Sequence, residues 1–164
     1  MKESQIIIGT TGYTLLIFGA AFLNIPILGL LAIPLFLASS VMLIYFFVSL
    51  CDKKSHKIIS TGLIIIGIIL LWVTIGITAV QYSEYLLALS RDNAENFFPS
   101  PGLTALKTIG SALIASLIIT YGIKLRSTLS NKKLLYILIG TYVSVPLTIL
   151  LIKILELIHM PFGT

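Results

Sequence analysis

Three ionisable side chains near the carboxyl end of the chain are spaced so that they share one helical face. Lys153, Glu156 and His159 follow one another at intervals of three residues in an otherwise apolar segment. Glu84 and Lys107 are predicted to lie at a similar depth. Ionisable groups are costly to bury in a bilayer and often mark transport paths or catalytic sites. The five residues therefore form a candidate external site for an ion or a proton.

The same residues also have a structural interpretation, which is the favoured one. About 20 residues are needed to cross the hydrocarbon core, and counting from Leu134 places Lys153 at the outer interface. A lysine there extends its ammonium group to the headgroups, and Glu156 and His159 then form an exposed helix end.

A second candidate site is a polar track inside the third apolar segment. Trp72 lies near the centre of that segment, and Thr74, Thr78 and Gln81 continue from it toward the outer side. Trp72 could contact a lipid, a cofactor or a partner helix, although ordinary packing is favoured. The threonines and Gln81 are expected to bond to neighbouring helices or to their own backbone more readily than to a substrate.

The remaining polar residues do not form a recognisable catalytic or cofactor site. His56 and His159 are predicted at opposite sides of the membrane, so they cannot both ligate one haem. Cys51 is the single cysteine, which excludes an internal disulfide and a dithiol redox site. No serine, threonine or cysteine in the apolar segments has an obvious base beside it. We therefore expect no cofactor and no metal, and the sequence argues against an enzyme.

The elements that carry these residues must be membrane helices. Residues 6–51 contain no charged residue and no histidine, and as one helix they would extend about 70 Å, over twice the thickness of a bilayer core. Charged residues make up 10% of the chain, against roughly 25% in soluble domains. The sequence therefore predicts an all-α integral membrane protein whose chain turns back within this segment.

Turn residues and charged connections divide the chain into five predicted spans in a single polytopic domain, residues 1–164. Asn24 and Pro26 mark the first turn, and Pro101 with Gly102 opens the fourth span. The first hairpin could cross the membrane fully or be re-entrant. The predicted spans are about 6–23, 27–50, 58–82, 103–125 and 134–160.

The distribution of basic residues predicts the orientation. Lysines and an arginine flank the second and fourth connections, whereas residues 83–100 contain three acidic residues and one arginine. Basic connections remain in the cytoplasm, so the N-terminus is predicted to be cytoplasmic and the C-terminus external. The protein is expected in a bacterial or archaeal cytoplasmic membrane. The basic residues concerned are Lys2, Lys53, Lys54, Lys57, Lys124, Arg126, Lys132 and Lys133.

The connection formed by residues 83–100 is the longest of the chain. Its first half is predicted to extend the third span or to form an interfacial helix, and Phe97 and Phe98 are predicted to enter the headgroup region. It could be a docking surface, a lid over an external site, or an anchored loop; the last is slightly favoured.

Three functions are compatible with these features. The leading hypothesis is a non-catalytic accessory subunit of a larger membrane complex, whose apolar faces pack against partner helices. The alternatives are a small transporter or channel component that acts as an oligomer and, third, an integral membrane enzyme. Expected partners are membrane lipids and other membrane subunits or further copies of the chain. Nucleic acid is not expected, because the basic residues are not gathered in one patch.

Overall fold

The computed structural model describes residues 3–22, 29–53, 56–90 and 100–159, with no account of the side chains at 20, 21, 29, 86–90 and 155–159. In these ranges the chain is helical and has no strands, which confirms the all-α part of the predicted fold class. The five helices are α1 (Glu3–Phe22), α2 (Gly29–Ser49), α3 (Lys57–Ser90), α4 (Pro101–Arg126) and α5 (Asn131–His159).

Four of these helices contain segments that are long and apolar enough to cross a membrane. They correspond to the second to fifth predicted spans. Helix α1, the first predicted span, has 20 residues and is therefore about 30 Å long. The count of five crossings and the orientation stay predictions. The four segments are Leu30–Ser49, Lys57–Tyr85, Pro101–Arg126 and Asn131–Ile154.

Helices α1 and α2 form an antiparallel hairpin that is packed along its whole length. At one end the Gln5 amide donates to the Ser49 carbonyl, at 3.3 Å. Halfway along, the buried Ser39 hydroxyl donates to the Gly12 carbonyl at 2.7 Å, and Gly19 contacts α2 near the other end. Glycines at these positions allow the two backbones to approach closely, so that van der Waals contact holds the pair together.

Helices α3 and α4 form a second antiparallel hairpin with an equally close contact. The buried Ser60 hydroxyl donates to the Gly122 carbonyl at 2.7 Å. A Cβ atom added to Gly67 would lie 3.1 Å from the Ala115 carbonyl oxygen and would collide with Ile119. The two helices are therefore too close at this position for any residue larger than glycine.

Helix α5 joins the two hairpins. Its Val145 and Ile152 are fully buried against a cluster that includes Ile75 of α3 and Leu16 of α1. The Tyr13 hydroxyl lies 2.6 Å from the Thr148 hydroxyl, which links α1 to α5. Direct contact between the hairpins is less extensive than contact within each of them. The bundle therefore consists of two tight pairs with a looser junction between them.

The two basic connections lie side by side at one end of the bundle. The Lys53 amide donates to the Arg126 carbonyl at 2.7 Å, and the Arg126 Nε donates back to the Lys53 carbonyl at 2.9 Å. The Thr128 hydroxyl donates to the Asp52 carboxylate at 3.0 Å. We call this the basic end; its cytoplasmic location remains the sequence prediction.

Helix α3 continues well beyond the third predicted span. It has 34 residues and ends at Ser90, which corresponds to a length of about 51 Å. The first half of the 83–100 connection is therefore an extension of this helix, one of the two forms that the sequence predicts. Residues 91–99, including Phe97 and Phe98, and Met160 of the fifth predicted span lie outside the described residues.

Candidate functional site

A cavity of about 780 Å³ occupies the looser junction between the hairpins. Its walls come from α1, α2, α3 and α5, together with the α2–α3 and α4–α5 connections at the basic end. Ligand sites in proteins commonly measure about 300–1,000 Å³, so the cavity is large enough for a small molecule.

Polar side chains line the cavity at the basic end. Gln5 of α1 and Ser49 of α2 are joined there, with the Gln5 amide 3.2 Å from the Ser49 hydroxyl. Asp52 and Lys133 supply one charge of each sign, and the exposed Tyr136 lies one turn further along α5. This end can therefore bind a polar or charged group.

The deep part of the cavity is almost entirely apolar. Leu16, Ile68 and Ile75 are buried there, and Trp72 closes the wall beside them. The Trp72 ring packs edge-on against Phe36 of α2, with ring centroids 4.3 Å apart. Its indole N–H is buried and has no hydrogen-bond partner among the described residues. Trp72 thus combines the predicted packing role with a position on a cavity wall.

The other members of the predicted polar track face away from this cavity. The Thr74 hydroxyl donates to the Leu70 carbonyl of its own helix, at 2.8 Å. The Thr78 hydroxyl lies 2.7 Å from the Thr108 hydroxyl and so joins α3 to α4. Gln81 is half-buried, and in the described part of the chain none of the three side chains lines the cavity.

Three of the five residues of the predicted external site have described side chains: Lys153, Glu84 and Lys107. The Lys153 ammonium donates to the Ala79 carbonyl at 2.9 Å and to the Ser83 hydroxyl at 2.5 Å, both on α3. Glu84 and Lys107 are exposed. The side chains of Glu156 and His159 lie outside the described residues. Lys153 therefore connects two helices, a role that neither sequence interpretation anticipated.

Cys51 follows α2 at the basic end, where its surroundings make it a weak nucleophile. Its thiol donates to the Phe47 carbonyl, at 3.6 Å. Burial raises the pKa of the Cys51 thiol; the positive charge of Arg126 and a hydrogen bond with Ser60 oppose this rise. The thiol is therefore largely protonated at neutral pH, and it resembles a small apolar residue more than a reactive thiolate.

Apart from Trp72, the residues that line the cavity were not predicted from the sequence as site residues. Lys133 was identified only as a marker of orientation, and Gln5, Tyr13 and Tyr136 were not singled out. One signal could have indicated them: polar residues recur at the same end of three apolar helices. Which of these helices are neighbours depends on packing, and that information is absent from the hydropathy pattern.

In the part of the chain that the structure describes, no group of three His, Cys, Asp or Glu residues could hold a metal ion. The cavity remains a candidate binding site with a polar end and an apolar interior.

Comparisons of the chain with protein-family models, with curated proteins and with solved structures found no match.

Proposed function

We propose that this chain is a non-catalytic accessory subunit of a larger membrane assembly, in a bacterial or archaeal cytoplasmic membrane. The observation that carries the proposal is which groups the polar side chains of the bundle bond to. Those with described partners mostly connect helices or bond to their own backbone, and therefore serve to hold the fold together.

Four of the helix pairs that pack together have such a connection. Ser39 joins the first hairpin and Ser60 the second, each through a carbonyl oxygen. Tyr13 joins α1 to α5, and Lys153 joins α5 to α3. An enzyme needs an acid, a base or a nucleophile that faces bound substrate. Side chains engaged in these bonds are poorly placed for that task, which supports a role in assembly.

The outer surface of the bundle is suited to partner helices as well as to lipid. Large apolar side chains are exposed along α3, for example Ile66, Ile69 and Val73, which share one helical face. Membrane helices associate through van der Waals packing of such faces, without a strong hydrophobic drive. A subunit of this kind would contribute surface and stability to its complex.

A second candidate function is a component of a small transporter or channel that acts as an oligomer. The cavity favours it, because a space between two loosely joined hairpins could open when they move apart. The walls that support this view are those near Trp72 and Lys133. Among the described side chains, Thr74, Thr78 and Gln81 of the predicted polar track, and those of the predicted external cluster, do not line the cavity.

Purification of the tagged chain at its natural expression level in mild detergent, followed by mass measurement of the intact complex, tests the proposal. We expect stoichiometric chains of other proteins. A monomer, or an oligomer of this chain alone, would contradict the accessory-subunit role. Substrate flux into vesicles containing only this chain would instead support the transporter component.

A further inference from the structure

The depth of the cavity corresponds to one leaflet of a membrane. On α5 its lining extends from Lys133 to Ser144, and on α1 it extends from Gln5 to Leu16. Each stretch covers 11 steps of about 1.5 Å, or about 16 Å. Half of the hydrocarbon core of a bilayer is about 15 Å. The cavity is therefore about as deep as one leaflet of the hydrocarbon core.

The polarity of the cavity changes in the same direction as that of a lipid. The surface end is lined by the polar side chains of Gln5, Ser49, Asp52 and Lys133. The deep walls are apolar except beside Tyr13, whose hydroxyl donates to the Ser144 carbonyl at 2.9 Å. A headgroup fits the first part and an acyl chain fits the second.

The charges at the cavity entrance favour an anionic headgroup. Lys133 is exposed and lines the entrance, and Lys53 and Lys132 are exposed at the same end of the bundle. Asp52, the one acidic lining residue, keeps its negative charge while it accepts a hydrogen bond from Thr128, so the positive excess at this end comes from the three lysines together. Among them, Lys133 lines the entrance and is the cation best placed to contact a phosphate.

The deep walls of the cavity favour an acyl chain over water as the occupant. Apolar walls such as Leu16, Ile68 and Ile75 offer water no hydrogen bonds. An acyl chain requires none.

We propose that the cavity binds one anionic phospholipid, with its phosphate at Lys133 and an acyl chain against Trp72 and Ile75. This site is independent of the proposed assembly role, because it requires only the chain itself. It would give the subunit a bound lipid in the leaflet that contains the basic end.

Gly140 allows the cavity to be filled without disturbing the bundle. It lines the cavity, and a Cβ atom added there meets no other atom within 4 Å. Gly110 on α4 has equally open space but does not line the cavity, so it supplies a matched control. The two variants are Gly140→Phe and Gly110→Phe, and equal melting temperatures would establish that both fold.

Trp72 is the single tryptophan of the chain and reports on the deep end of the cavity. The purified protein in mild detergent would be titrated with phosphatidylglycerol carrying brominated acyl chains, which quench tryptophan fluorescence on contact. We expect saturable quenching at one lipid per chain in the wild-type and Gly110→Phe proteins. Apparent affinity should fall at least ten-fold in Gly140→Phe. Equal quenching in both variants, or an equal loss of apparent affinity in both, would contradict the proposed lipid site.

The headgroup assignment is tested by comparing brominated phosphatidylglycerol with brominated phosphatidylcholine. An exposed, solvent-screened ion pair contributes little, and at the upper end of its usual range it predicts an affinity about five-fold higher for the anionic lipid. Lys133→Gln should abolish this preference, whereas Lys132→Gln, one residue away and outside the lining, should retain it. A preference that survives in Lys133→Gln, or no preference in the wild type, would overturn the role of Lys133.

Discussion

The bond between Lys153 and α3 leads to a quantitative prediction about the stability of the bundle. Lys153→Met removes the ammonium group and keeps a long apolar side chain, and Ser83→Ala removes one acceptor. The Ala79 carbonyl would keep a partner in the first variant, because the Ser83 hydroxyl also donates to it, at 3.1 Å. The Ala79 carbonyl is therefore not left without a hydrogen bond by Lys153→Met.

The expected coupling free energy between Lys153 and Ser83 is about 1–2 kcal/mol. Interhelical hydrogen bonds in a membrane protein average about 0.6 kcal/mol and reach about 1.7 kcal/mol. A charged donor roughly doubles the strength of a neutral bond. Because the ammonium donates to the Ala79 carbonyl as well, Lys153→Met alone should lower the free energy of unfolding by about 1.5–3 kcal/mol.

A double-mutant cycle measured by equilibrium unfolding in mixed micelles provides the test. Lys107→Met, at an exposed lysine of α4, is the matched control and should change the free energy by less than about 0.5 kcal/mol. Lys153→Arg should also destabilise the bundle, since a planar guanidinium cannot replace a compact ammonium at two acceptors. A coupling below about 0.3 kcal/mol, together with a silent arginine variant, would refute this reasoning and restore the interpretation of Lys153 as an interface anchor.

Three further outcomes are expected. Gly67→Val should lower the free energy of unfolding by more than about 2 kcal/mol, because the valine side chain would force α3 and α4 apart. As a control in the same unfolding assay, Gly62→Ala lies in open space and should be neutral or stabilising. Alkylation of Cys51 should be slower in the folded than in the unfolded protein at neutral pH and should accelerate as pH rises, because the raised pKa leaves less thiolate. Since the folded state retains this proton more tightly, ionisation at alkaline pH should also weaken folding. For orientation, in a Cys51→Ser background an impermeant reagent applied outside cells should label a cysteine placed at Ser100 and not one placed at Ser130; the opposite pattern would reverse the predicted topology.

The helices were predictable because their ends carry strong local signals. Charged connections and Pro101 mark where apolar segments stop, and α2 to α5 begin or end within a few residues of the predicted spans, except where α3 continues to Ser90. Ser100 caps α4 by accepting a bond from the Leu103 amide, as expected for a serine immediately before a helix with proline in its first turn.

The rotation of each helix about its axis was not predictable. Thr74 and Thr78 lie four residues apart and share a face, yet one bonds within α3 and the other bonds to α4. Where every face is apolar, hydropathy does not indicate which face meets a neighbour. For the same reason the partner of Lys153 on α3 emerged only from the packing.

The candidate site was the least predictable part of the molecule. Its lining residues come from four helices, and single positions such as Gly140 or Tyr136 have no distinctive spacing in the sequence. Of the residues that line the cavity, the predicted site residues include Trp72 but not Lys133. A cavity depends on the space that is left between elements, and that space has no local signature in the chain.

The looser junction between the hairpins has a consequence for the order in which the protein is made. Each hairpin joins helices that are adjacent in sequence, so each can pair as soon as its second helix leaves the ribosome. Helix α5 is synthesised last and completes the cavity wall through Lys133 and Gly140. Until then the space between α1, α2 and α3 lacks one side. A molecule already present in the membrane could enter at that stage, so that the final helix closes over its occupant during biogenesis.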